Sequence, residues 1–272
     1  MRHSPVIPSG GTVPLAGGTS PGRVPLVAVA HGSRDPRAAA TVAALLDGLA
    51  DRSLADRSLA GRVPLDVRVA YLDHCAPTLG QALTGLREAV VLPLLLTEAY
   101  HSRVDLPAAL NEVRAREPRL RVRYGHTLGP HPLLLTALER RLGEAGVPAG
   151  DPDTAVVLAS AGSSDARANA VIARMAQAWR RSGWWTVTPA YASAASPTPA
   201  EAVASLLRAG APRVVVAPYL LAPGFFADKV RTDALAAGAS VVAEVLGAAP
   251  ELVDVVLERY EVAQREPVPV AG

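Results

Sequence analysis

The stretch LVAVAHGSRDPRAAA, residues 26–40, decides the fold because it joins an apolar strand to a helix through a short polar turn. Five small or apolar residues lead into His31 and a glycine, and an Ala-rich segment with helical spacing follows. A similar arrangement returns at VVLASAGSSDARANA, residues 156–170, where the Gly-Ser pair of the first turn recurs. This repetition predicts an internal duplication, with two halves of similar topology.

Further stretches align between the two halves. AYLDHCAPT (70–78) matches AYASAASPT (190–198), Pro93 matches Pro218, and LGPHP (128–132) matches LGAAP (246–250). In the first half the sequence predicts strands at 24–31, 63–72, 89–96 and 120–126, and helices near 36–60, 77–87, 103–116 and 131–145. Continuous apolar strands that alternate with helices are typical of a parallel sheet covered on both faces.

The predicted fold class is therefore α/β, with two similar doubly wound parallel-sheet domains that arose by duplication. Residues 1–23, rich in Gly, Pro and Ser, are predicted to be a disordered tail. An N-terminal domain over 24–146 is expected to carry the functional site. A linker follows, and a degenerate C-terminal repeat is expected over 154–265.

Composition excludes several classes of function. A formal net charge of +2 over 272 residues is too small to favour binding to nucleic acid or to a membrane surface. The single cysteine, Cys75, excludes an intramolecular disulfide framework and a Cys-rich metal site, and it favours a reducing, cytoplasmic location. No apolar run reaches the roughly 18 residues that a membrane span requires. Because one chain contains both halves, a monomer is compatible with the sequence.

The two halves differ at three polar positions. His31 ends the first strand, Asp73 follows the second, and His101 follows the third. Their counterparts in the second half are Ala161, Ser193 and Phe226. Because the carboxyl ends of parallel strands share one edge, we expect the three polar side chains to converge there. Two imidazoles and a carboxylate suit a divalent first-row metal, whereas a single histidine at a strand end is more often a hydrogen-bonded structural residue.

These motifs resemble those of a known family. HGSRDP after the first strand, YLDHCAPT after the second and PLLLTEAYHSRVDLP after the third are similar to the sirohydrochlorin chelatases of the two-domain type. The resemblance covers about residues 24–265. It implies a class II chelatase, a lyase that inserts a divalent metal into a tetrapyrrole without ATP. The family's paired metal-binding histidines fall on His31 and His101, and a family glutamate falls on the shorter Asp73.

The resemblance also implies the substrates. The metal is itself a substrate, with Fe²⁺ favoured, giving siroheme, and with a cobaltochelatase of cobalamin synthesis as the alternative; no organic cofactor is expected. The other substrate, sirohydrochlorin, is an acidic tetrapyrrole. Its carboxylates would be bound by Ser33, Arg34, Ser102 and Arg103. His74 is expected to point away from the site, while the roles of Glu98 and His126 stay open.

Two other functions compete with the chelatase. A strand that ends in His-Gly also occurs in phosphohistidine phosphatases, but that chemistry needs an Arg before the pair, and Ala30 stands there. A non-catalytic carrier of metal or tetrapyrrole would have the same binding residues. Only conversion of substrate distinguishes a carrier from a chelatase.

Overall fold

Two parallel sheets of matching topology organise the chain. The computed structural model describes residues 23–55, 65–98 and 104–266. In the first sheet, β1 (Leu26–Ala30), β2 (Val67–Tyr71), β3 (Glu88–Pro93) and β4 (Arg121–Tyr124) pair in the order β2-β1-β3-β4. In the second, β5 (Thr154–Ser160), β6 (Thr186–Tyr191), β7 (Arg213–Tyr219) and β8 (Val241–Val242) pair in the order β6-β5-β7-β8. Every pairing is parallel, so the predicted fold class is confirmed.

Helices connect the strands in both halves. The first half contains α1 (Pro36–Ala55), α2 (Leu79–Leu83), α3 (Leu106–Arg116) and α4 (Pro132–Glu144). The second half contains α5 (Ala166–Trp179), α6 (Pro199–Arg208), α7 (Phe225–Ala236) and α8 (Pro250–Arg265). The predicted tail, residues 1–23, lies outside the described residues except for Arg23, and the two predicted domain ranges stay predictions.

The first strand of each half is buried on both faces, as its unbroken apolar sequence predicts. In β1, Leu26 and Ala28 belong to one cluster of core residues, while Val27 and Val29 belong to another. Strand β5 alternates in the same way between two cores. One of these cores contains residues from both halves, so the two sheets share a common apolar interior. Burial on both faces is the arrangement expected for a parallel sheet between helical layers.

The last helix of each half packs against the other half. Helix α4 follows β4 but contacts β7, and α8 follows β8 but contacts β3 and β4. Hydrogen bonds support this exchange. Trp179 Nε1 donates to Glu139 Oε1 on α4 over 2.8 Å, and Tyr260 on α8 donates its hydroxyl to Val24 O over 2.6 Å. The exchange joins the two halves and leaves a cleft between the edges where their strands end.

None of the helices in the described parts of the chain is long and apolar enough to cross a membrane.

Candidate active site

The loops after β1 and β2 form one continuous edge, which we call the N-terminal rim (residues 31–35 and 72–76). The amide N–H of Asp73 donates to the carbonyl of His31 over 2.9 Å, and that of Leu72 donates to Ala30 over 3.1 Å. Cys75 Sγ lies 3.1 Å from the carbonyl of Ser33 and ties the same two loops together. The structure therefore brings the main chains of His31 and Asp73 side by side, as the strand order requires.

Gly32 makes this close approach possible. Its φ is +94°, a left-handed conformation that glycine adopts without strain. A Cβ at this position would lie 1.8 Å from the carbonyl oxygen of Asp73, far inside van der Waals contact. Gly162 repeats the arrangement in the second half, where a Cβ would lie 2.0 Å from Ser193 O. The group that approaches the glycine is thus the neighbouring loop, and His31 is held beside it.

A cavity of about 1250 Å³ lies between the N-terminal rim and the matching edge of the second half. On the first side, its lining includes His31, Ser33 and Arg34, so three of the predicted site residues face one space. His31 is half-buried, and its Nδ1 lies 3.2 Å from the carbonyl of Gly32. Arg34 is exposed and places a positive charge at the cavity wall.

Asp73 lies at the rim without lining the cavity. Its side chain is 62% exposed, and its Oδ1 accepts a hydrogen bond from the amide N–H of His74 over 2.7 Å. Its Oδ2 lies 3.3 Å from His74 Nε2. Unlike Asp73, His74 belongs to the cavity lining. The expectation that His74 points away from the site is therefore wrong. A positive φ of 62° at His74 turns the chain there, which strand alternation alone did not predict.

The three site residues predicted after β3 are not among the described residues. His101, Ser102 and Arg103 lie in the segment 99–103, outside the described residues. Within the ranges that the structure describes, no group of three or more His, Cys, Asp or Glu side chains could hold a metal ion. The predicted pair of His31 and His101 therefore stays a prediction.

Two further histidines and Glu98 have different environments. His131 caps α4, accepting from the amide N–H of Leu133 over 3.2 Å, and its Nε2 lies 3.2 Å from Glu258 Oε2. This is a structural role. His126 is exposed and is absent from the described cavity lining. Burial raises the pKa of Tyr124 to about 12, and the negative charge of Glu98 adds to that effect.

The corresponding edge of the second half, the C-terminal rim (residues 161–165 and 192–196), keeps the backbone arrangement but has no histidine. The amide N–H of Ser193 donates to Ala161 O over 3.0 Å, just as Asp73 donates to His31 O. Ala194 has φ +57°, close to that of its counterpart His74. The duplicate thus serves as an internal control, because the loops share their backbone course while Ala161, Ser193 and Ala194 replace His31, Asp73 and His74.

An ion pair joins the two halves at this cleft. Arg37, in the first turn of α1, bonds to Asp35 and reaches Asp228 on α7, with 2.5 Å between Nη2 and Asp228 Oδ2. Gly224, at the start of α7, lies close to Ser33 and Asp35. Bonding to the Arg37 guanidinium lowers the pKa of Asp35, and the pKa of Arg37 is raised by the same contacts. These contacts hold the start of α7 against the N-terminal rim.

The chain is thus a duplicated α/β protein with a cavity between the carboxyl edges of two parallel sheets. The CbiX family model matches residues 25–145 and 155–263, one segment in each half. The chain therefore belongs to the CbiX family, the class II sirohydrochlorin chelatase family that its motifs resemble.

Individual relatives agree with this assignment. The chain is 29% identical to a sirohydrochlorin cobaltochelatase of Priestia megaterium, over 72% of this chain and 63% of that protein. It is also 29% identical to a sirohydrochlorin ferrochelatase of the same organism, over 63% of this chain and 66% of that one. These matches span just under two thirds of each relative. A solved structure, SirB from Bacillus subtilis with Fe³⁺, superposes with a TM-score of 0.72 at 25% identity, covering 89% and 95% of the two chains.

Proposed function

We propose that the protein is a sirohydrochlorin chelatase, which inserts a divalent metal ion into the tetrapyrrole without ATP. The observation that carries this proposal is the interdomain cavity, with the half-buried His31 in its wall, in a chain of the CbiX family. Support also comes from the names of the relatives, which are sirohydrochlorin chelatases. The cavity is large for a small-molecule site, as a macrocycle requires.

Metal insertion sets two chemical tasks for the cleft. The inner pyrrole nitrogens of the macrocycle must lose two protons, while the metal exchanges its water ligands for those nitrogens. A neutral imidazole serves both tasks, since it binds borderline metals such as Fe²⁺ and Co²⁺ and exchanges protons near neutral pH. In this proposal His31 and His101 hold the incoming metal and accept the protons. Each imidazole nitrogen would release the metal to the macrocycle before it takes up a pyrrole proton, which it then passes to solvent.

Asp73 has an assisting role in the same proposal. Its carboxylate is outside the cavity wall but lies 3.3 Å from Nε2 of His74, which is part of that wall. A hydrogen bond from His74 Nε2 to this carboxylate would orient the His74 ring in the cavity wall. The shorter aspartate can therefore act at the cavity through His74.

The acidic periphery of sirohydrochlorin needs donors at the cavity margin. Ser33 and Arg34, which line the wall, are proposed for this purpose on the described side. An arginine can bind a carboxylate through two parallel hydrogen bonds, which orients as well as attracts it. Ser102 and Arg103 stay predicted partners of the same carboxylates.

The metal is the finer part of the proposal. We favour Fe²⁺, with Co²⁺ as the alternative; the predicted ligand set suits both ions and does not select between them. The two Priestia megaterium relatives have equal identity to this chain but differ in the metal that their names give. Complementation of a siroheme-deficient strain, repeated under conditions that demand cobalamin, distinguishes the two.

An insertion assay on the His31→Ala variant tests the proposal. Metal-free sirohydrochlorin is mixed anaerobically with Fe²⁺ or Co²⁺, without ATP, and insertion is followed by absorbance. We expect the wild type to accelerate insertion and His31→Ala to lower the rate roughly 100-fold or more, because it removes a ligand and a proton acceptor.

The matched control is His126→Ala, which removes an exposed imidazole outside the described cavity lining and should keep the wild-type rate. Binding of both substrates by the wild type without any acceleration would identify a carrier instead. Unchanged rates in both His31→Ala and His101→Ala would refute the assignment of these histidines.

A further inference from the structure

The two phenylalanines of this chain, its only ones, stand next to each other and both are exposed. Phe225 and Phe226 begin helix α7, with 75% and 38% of their surface accessible to solvent. Their rings contact each other edge to face, with centroids 5.5 Å apart. Both side chains belong to the lining of the interdomain cavity. Neither phenylalanine belongs to the core of the described residues, which is built mainly from Ala, Val and Leu.

Among the exposed large apolar residues, this pair is distinguished by its place in the cleft. The described residues include six large apolar side chains that are exposed: Val104, Trp185, Leu207, Phe225, Phe226 and Leu235. Of these six, the described cavity lining contains Phe225 and Phe226 alone. A large apolar side chain left in water forgoes the free energy of burial, and two adjacent ones form an apolar surface of the kind that ligands cover.

The pair is also held in a defined position opposite the N-terminal rim. Gly224, which precedes it, lies close to Ser33 and Asp35. Asp228, which follows it, is bonded to Arg37 of α1. Both ends of the first turn of α7 are therefore anchored against the half that carries His31. The aromatic rings face the same cavity as that imidazole, so one ligand can contact both.

We propose that Phe225 and Phe226 form the binding surface for the flat, conjugated face of the tetrapyrrole substrate. This inference rests on the proposed chelatase function and names the residues that bind the macrocycle rather than the metal. Aromatic rings pack well on extended π-systems in offset or edge-to-face geometry, and such contacts tolerate changes at the ligand periphery. Arg34, in the same cavity wall, supplies positive charge for the peripheral carboxylates. The cavity is therefore complementary both to the apolar face of the macrocycle and to its acidic edge.

The two halves of the duplication differ at the position of Phe226. By the sequence alignment of the halves, Phe226 occupies the position that His101 occupies in the first half. The first half has ionisable side chains at its rim, and the second has an aromatic pair on the facing element. One half is thus suited to the cation and the other to the apolar ring system. The two substrates meet in the cavity between them.

Binding of metal-free sirohydrochlorin, measured anaerobically by fluorescence titration of the full-length chain, tests the inference. We expect the double variant Phe225→Ala/Phe226→Ala to raise the Kd for the macrocycle about tenfold or more, since two apolar rings are lost from the contact. The single variant Phe225→Ala, at the more exposed position, should show part of this effect. In insertion assays the double variant should raise KM for the macrocycle with little change in kcat.

Leu235→Ala is the matched control, because Leu235 is an exposed apolar residue of the same helix outside the described cavity lining. It should leave the Kd unchanged. Binding of Co²⁺ alone should be equal in the wild type and the double variant, which shows that the N-terminal rim is intact. His31→Ala should give the reverse pattern, with Co²⁺ binding weakened and macrocycle binding kept.

The possible failures are distinguishable. If the wild type binds and converts sirohydrochlorin and the double variant binds it equally well, the aromatic surface is refuted while the chelatase proposal stands. A similar loss of affinity in Leu235→Ala would also refute it, because the effect would then be unspecific. If the wild type neither binds nor converts sirohydrochlorin, the proposed function fails and this inference fails with it.

Discussion

Gly32 shows how one residue positions the candidate site. Its missing Cβ leaves room for the carbonyl of Asp73, which would otherwise be 1.8 Å from a side-chain carbon. The positive φ of Gly32 turns the chain so that His31 stays at the edge of the sheet. Both features are needed for the loops after β1 and β2 to meet through their main chains.

Replacing this residue tests its role. Gly32→Ala should lower the free energy of unfolding by roughly 2–4 kcal/mol, because it adds both backbone strain and a collision with main-chain atoms. Urea denaturation followed by circular dichroism measures the change. An unfolding midpoint equal to that of the wild type would mean that the two loops do not need this close approach.

Gly143→Ala is the control for Gly32→Ala. Gly143 lies within helix α4, and a Cβ there would meet no atom within 4 Å. Alanine is the better helix former, so this variant should be neutral or slightly more stable. The contrast between the two alanines isolates the collision at the rim from the general effect of removing a glycine.

Among the elements, α4 and α8 have the least expected positions. The sequence predicted a helix near 131–145, and the structure has it at Pro132–Glu144. The apolar face of a helix shows that it covers a sheet but not which sheet it covers. The parallel pairing of the strands was predictable, because it follows from the alternation of strands and helices, which both halves repeat. The exchange of the last helices therefore became visible only in three dimensions.

An ion pair stabilises this exchange. Arg140 of α4 donates to both carboxylate oxygens of Glu251 at the start of α8, which is 7% exposed. These hydrogen bonds lower the pKa of Glu251 from its ordinary 4.5. Because the pKa is lower in the folded state, the pair stabilises the fold fully above the unfolded pKa. The contribution is lost as the pH falls through the folded pKa.

Glu251→Gln should lower the thermal unfolding midpoint at pH 7 by a few degrees, roughly 2–4 °C for each kcal/mol lost in a chain of about this size. The difference from the wild type should be constant above about pH 5 and should shrink as the pH falls from 4.5 toward the lower pKa of Glu251 in the folded state. Calorimetry over a pH series measures both effects.

The control is Glu144→Gln, which removes an exposed carboxylate that pairs with Arg141 within α4 alone. Exposed pairs of this kind contribute little, so its midpoint should match the wild type at every pH. Equal behaviour of the two variants would contradict the role assigned to the contact between α4 and α8.

At the scale of the whole molecule, the duplication explains which predictions succeeded. The matching stretches predicted two similar sheets, and the loops at both rims repeat the same glycine, the same hydrogen bond and the same positive φ. The cavity between the halves could not be located from sequence, because it depends on how the exchanged helices place one sheet against the other. For the same reason, sequence indicated that Phe226 replaces His101 but not that its ring is exposed in a cleft.

The asymmetry of the two rims is the central claim of this account. Equal backbones carry His31, Asp73 and His74 on one side and Ala161, Ser193 and Ala194 on the other. A duplicated fold with one functional rim should bind one cation and use its other half for the second substrate. The number and position of bound metal ions therefore report on the whole arrangement.

Anomalous diffraction from crystals of the chain grown with Co²⁺ tests this claim most directly. The account predicts one cobalt ion per chain at the N-terminal rim, about 2.1 Å from a ring nitrogen of His31 and from one of His101, and no cobalt at the C-terminal rim. A cobalt ion beside Ala161, or imidazoles at positions 31 and 101 that do not share an ion, would contradict it.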